Sequence, residues 1–222
     1  MSSETSLGGP QKGFQPTLWT TILRAKDHEA PDRREALDRL ITRYWKPAYF
    51  FIRQKGHDVE SAKDLTQAFF ATFLEKDFLK SVEPERGRFR SFILAALSHF
   101  LSNEYDRSRA LKRGGDFNFV QAELERPGDS LTPERAFFDQ WALEVMERAM
   151  ARLKSERAPD DVALLSGHFP EGMPEYEKKN RLHRLRLRLR QLLREEVLPS
   201  VAGEVEADEE VRDLLSQSSR RI

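Results

Sequence analysis

The 222 residues carry 37 Lys and Arg against 37 Asp and Glu, so the chain has no formal net charge, and any argument for nucleic acid must rest on how charge is distributed. The absence of cysteine excludes a disulfide framework and thiolate metal sites and fits a reducing compartment. No run of about eighteen apolar residues occurs, and the opening MSSETSLGGPQKGFQP has no apolar core behind a basic start. The expectation is a soluble cytoplasmic protein with two small domains.

Residues 1 to 16 are small, polar and Gly/Pro-rich and are expected to be disordered. Leu37, Leu40, Ile41, Tyr44, Ala48, Phe51 and Ile52 then fall at helical spacing, with Pro47 as a kink. Asp58 is placed to cap the next helix, where Ala62, Leu65, Phe69 and Phe73 form one apolar stripe and Phe70 with Leu74 a second beside it. Phe89, Phe92, Ile93, Ala96, Leu97, Phe100 and Leu101 give the clearest helical period, and Phe100 fits its core stripe. This helix should stop at Gly114-Gly115, and residues 114 to 131, around Arg126-Pro127-Gly128, read as an interdomain linker.

Thr132-Pro133-Glu134 is a helix start: a hydroxyl cap, a proline where no N–H is needed, and an acid near the positive dipole end. The helix should reach about Arg157, because Pro159 disfavours helical geometry at Ala158. After a short helix near 161 to 166 and a Gly/Pro loop comes HRLRLRLRQLLREE, which alternates locally like a strand. Over a longer window Leu182, Leu185, Leu189, Leu192 and Leu193 keep helical spacing, so the stretch from Pro174 to about Val197 reads as one helix. Charge concentrates here. From Lys178 to Arg194 there are two Lys, six Arg and no acid, whereas Glu204 to Asp213 holds six acids against Arg212 alone. The acidic tail, 204 to 222, can fold against the basic helix or stay solvated, and the solvated reading is favoured.

Catalytic chemistry has little support. No phosphate loop, dinucleotide fingerprint or nucleophile elbow occurs, and the five histidines form no i, i+4 pair. Neither enzyme activity, cofactor nor metal is expected.

Three stretches together resemble the extracytoplasmic-function (ECF) group of bacterial RNA polymerase sigma factors, in the form seen in planctomycete-type genomes. RYWKPAYFFIRQKGHDVESAKDLTQAFFATFLE, residues 43 to 75, is similar to sigma region two. FRSFILAALSHFLSNEYDRSRALKR, residues 89 to 113, is similar to the helix that opens and reads the minus-ten element. LTPERAFFDQWALEVMERAMARL with the later HRLRLRLRQLLREEV is similar to region four. The resemblance implies an all-α, two-domain chain: a region-two-like domain at 17 to 113, the linker, and a region-four-like helix-turn-helix domain at 132 to 203. Core RNA polymerase and promoter DNA are the implied partners, with an inhibitory anti-sigma protein.

The resemblance implies roles for particular residues. Asp64, Gln67 and Phe70 would dock on the polymerase clamp helices, although their spacing equally fits two solvated polar residues and a core aromatic. Arg86, Arg88 and Arg90, with His99 and Asn103, would engage the melted strand. Arg107, Arg109, Lys112 and Arg113 would add phosphate contacts, although cations at a helix C-terminus need no DNA to explain them. His99 and Asn103 stand where the common ECF helix carries Asn and Asp. Lys178, Lys179, Arg181, Arg184, Arg186 and Arg188 would contact upstream phosphates. The first helix of the region-four motif is missing here: GHFPEGMPEYEKKN runs directly into the basic helix, and a recognition helix relies on that scaffold. The expectation is therefore an ECF-like sigma factor, or a sigma-derived interaction module that has lost promoter-specific recognition. A general nucleic-acid-binding helical protein is a third reading.

Overall fold

The computed structural model describes Ile22, Ala25, Asp27, residues 29–75, Leu79, and residues 88–112, 132–201 and 203–218. Among these residues the chain is helical throughout its regular structure and has no strand. Seven α-helices follow in order: α1 (Arg33–Gln54), α2 (Val59–Glu75), α3 (Phe89–Lys112), α4 (Pro133–Glu156), α5 (Pro159–Ala163), α6 (Glu175–Val197) and α7 (Glu204–Ser218). Single 3₁₀ turns follow α5 and α6. No helix among the described residues is long and apolar enough to cross a membrane.

Local sequence chemistry accounts for the ends. The Asp58 carboxylate accepts the Ser61 N–H at 2.8 Å and the Ser61 hydroxyl at 2.9 Å, and these bonds hold its pKa below the usual carboxylate value. Thr132 caps α4 by accepting the Arg135 N–H at 3.1 Å, with Pro133 at the first helical position. The stretch 164–166 ends at Gly167 in the left-handed conformation, φ 80°, where a side chain would be strained. α1 runs unbroken through the buried Pro47. The Gly114-Gly115 stop and the 114–131 linker lie outside the described residues.

The core is built on aromatic contacts between helices. The Tyr44 ring on α1 meets Phe89 of α3 edge-on at 5.5 Å and lies parallel to Phe137 of α4 at 6.5 Å. Its burial pushes the phenol up to about 12, so it stays neutral. Phe69 sits among Phe70, Phe73 and Phe100 at 5.0 to 5.9 Å, which joins α2 to α3. Phe100 is core, as its stripe predicts.

The two halves expected to form separate domains share one core. α4 lies along α1 on one side and α6 on the other, and apolar residues from Ile22 to Leu214 form a single cluster. The reason is visible on α4, where Phe137, Phe138, Trp141, Val145, Ala149 and Leu153 are all buried, too many for one partner. Ion pairs close the seam. Glu196 of α6 accepts from Arg148 of α4 at 3.0 Å and lies 3.6 Å from Arg43 of α1, while Lys46 of α1 pairs with Glu144 of α4 at 2.6 Å.

The acidic stretch corrects a second expectation. Far from staying solvated, residues 204–218 form α7, whose Ala207, Val211 and Leu214 are buried at i, i+4 and i+7.

Candidate nucleic-acid interface

α6 answers the strand-like alternation of its sequence. Leu185, Leu192, Leu193 and Val197 are buried and Leu182 and Leu189 half-buried, whereas Leu187, which a strand would bury with Leu185, is 49% exposed. The helix thus packs one side on α4 and the 164–166 turn and leaves the other in solvent.

Its cations divide into two sets. Arg188 forks onto both oxygens of Glu156 at 2.7 Å, which pulls the Glu156 carboxyl below its ordinary range. Arg181 pairs with Glu177 at 2.8 Å and Asp161 at 3.5 Å, and Arg194 with Asp208 at 2.9 Å and Glu204 at 3.2 Å. Lys178 pairs with Glu175 at 2.9 Å and stands over the Phe169 ring. The second set, Lys179, Arg184, Arg186 and Arg190, is exposed and makes no ion pair among the described residues. Lys179, His183, Arg186 and Arg190 fall at i, i+4, i+7 and i+11, so they share one face, with the 70% exposed Tyr176 and Leu187 beside them. Cations without counter-charges beside an exposed ring form a surface suited to phosphates, and the local field rather than net charge governs such attraction.

The residues assigned to promoter melting fare differently. His99 and Asn103 lie exposed one turn apart on α3. Arg107 pairs with Glu104 at 2.7 Å, Arg109 lies 5.6 Å from the Tyr105 ring, and Lys112 closes α3. Arg86 and Arg113 lie outside the described residues.

Arg88 and Arg90 are turned to a partner within the chain. Arg90 forks onto both carboxylate oxygens of Glu210 and stacks on Phe138 at 4.6 Å and Trp141 at 5.1 Å. Arg88 lies 2.7 Å from Glu210, 3.5 Å from Asp213 and 3.6 Å from Glu209. Their side chains are 26% and 16% exposed and Glu210 is 1% exposed. Two cations at the start of α3 face the positive end of that helix, and the acids of α7 offset the conflict. Sequence reading missed this because it counted the tail's charges; the apolar period of Ala207, Val211 and Leu214 was the available signal.

On α2 the expected outward trio is split. Asp64 and Gln67 are exposed, but Phe70 is 4% exposed and stacks on Trp45 of α1 at 5.7 Å, so it belongs to the core and not to a docking face. Thr66, which the apolar pattern passes over, is fully buried and gives its hydroxyl to the Ala62 carbonyl at 2.6 Å. In comparison with known proteins, the chain matches no family model, no curated protein and no solved structure.

Proposed function

We propose that the chain is an ECF-like sigma protein of the cytoplasm that binds core RNA polymerase and contacts promoter DNA through the outer face of α6. The observation that carries the DNA contact is the set of exposed cations without ion pairs on the solvent side of α6, with Lys179, Arg186 and Arg190 together on one face and Arg184 on the opposite flank. The polymerase contact rests on the resemblance of residues 43 to 75 and on the exposed polar pair Asp64 and Gln67 of α2. His99 and Asn103 of α3 are the remaining candidates for contact with a melted strand. An inhibitory protein partner enters by resemblance alone.

A second reading has its own observation. Arg88 and Arg90 are committed to Glu210, and α4 is committed to α1, which favours a sigma-derived module that binds polymerase or a regulator without promoter-specific recognition. The test is affinity for core RNA polymerase, wild type against Asp64→Ala with Gln67→Ala, followed by footprinting on promoters from its own genome. Tight binding lost at least tenfold in the variant, with defined footprints, supports the first reading. Binding without footprints selects the second. No affinity for polymerase rejects the first reading and leaves the second only as a module for a regulatory protein.

A further inference from the structure

Where α4 ends, Arg157 leaves the helix in an extended conformation, and the chain turns through α5 before returning as α6. A cleft of about 380 Å³ opens between these segments, lined by Arg157, Asp161, Arg181, Arg184 and Leu185. Three guanidinium groups thus face one carboxylate across a concave surface.

Asp160 is exposed and does not line the cleft, and the other neighbouring acids are engaged. Glu156 is held by the Arg188 fork, and Glu177 and Asp161 are both on Arg181. Arg157 and Arg184 are left without an ion pair among the described residues, so the cleft keeps an excess of two positive charges. Arg181, tied at both sides, is fixed in orientation before any ligand arrives. Concavity concentrates the field of such cations, and guanidinium forks match phosphate oxygens two at a time. No aromatic ring lines the cleft, so nothing there would stack on a base. The single apolar liner, Leu185, is a buried floor.

We infer that this cleft is a phosphate-binding site for an oligophosphate-type polyanion, with Arg157 and Arg184 as its two free forks and Arg181 as its fixed wall. Asp161 keeps the ligand to the side of the two free arginines. The phosphates come either from a nucleic-acid backbone lying on the outer face of α6 or from a free polyphosphate. The backbone source shares Arg184 with the proposed DNA face and rests on that reading; the free source does not.

The test is calorimetric titration of the full chain with tripolyphosphate and, separately, with a short DNA duplex at two salt concentrations. The variants are Arg157→Gln alone, Arg157→Gln with Arg184→Gln, and a charge-matched comparator, Arg34→Gln with Arg212→Gln, at exposed positions remote in sequence from the lining residues. Tripolyphosphate binding weakened about tenfold by the double variant and unchanged in the comparator supports a free-anion site. Duplex binding weakened selectively by Arg157→Gln, with tripolyphosphate unbound, supports a seat for the backbone. Equal losses in the comparator, or neither probe responding to Arg157→Gln and the double variant, overturn the proposal. Affinity for core polymerase is a separate measurement, so the sigma reading and the cleft stand or fall apart.

Discussion

Phe70 lies six residues beyond Asp64, a spacing that carries it round the edge of the outward face of α2 and against Trp45. The residues on the two sides of that edge should respond oppositely to mutation. Phe70→Ala is expected to cost about 3–5 kcal/mol in urea unfolding, the range for truncating a buried Phe, whereas Asp64→Ala and Gln67→Ala stay within about 0.5 kcal/mol. Equal small losses at all three would place Phe70 on the surface after all. A polymerase-binding assay should therefore use the two polar substitutions alone. Glu210 is the other decisive residue. Its truncation to Ala strands Arg90, which is mostly withdrawn from water, and leaves Arg88 only its longer contacts to Asp213 and Glu209; breaking such a buried pair costs about 3 kcal/mol. A loss under about 0.5 kcal/mol, read from the same unfolding curves, would mean that Arg88 and Arg90 find solvent easily and that α7 is held by its apolar side.

At the scale of elements, the sequence was most legible where period and punctuation agree. The Asp58 and Thr132 caps, the Pro159 stop and the long helix through HRLRLRLRQLLREE all stand where their residues place them, because each depends on chemistry within a few positions. Legibility failed where a helix is defined by what lies across from it. α7 has an apolar stripe only three residues deep inside a run of acids, and charge dominates its composition until Arg88, Arg90 and Arg194 are seen to face it. The candidate site shows the same limit. Sequence counts the cations of α6 but does not separate Arg188, neutralised by a residue 32 positions away, from Arg186, which faces solvent.

At the scale of the molecule, the described residues show one buried cluster where two domains are expected, for one physical reason. Composition around residues 114 to 131 marks a break in the chain, but the buried surface of α4 is completed by α1 from before that break. Tyr44 between Phe89 and Phe137, and Glu196 between Arg43 and Arg148, make the two sides one unit. The chain should accordingly unfold in a single transition by scanning calorimetry, with the calorimetric and van't Hoff enthalpies equal. Two resolved transitions would restore the two-domain description.

The clasp of α7 on α3 also has a consequence in time. Chains emerge from the ribosome with the N-terminal end first, and segments fold as their partners become available. Helices α1 to α3 are made well before Glu210 exists, so Arg88 and Arg90 wait for their carboxylate until α7 is made. The start of α3 is thus left open and basic until α7 is released to close it.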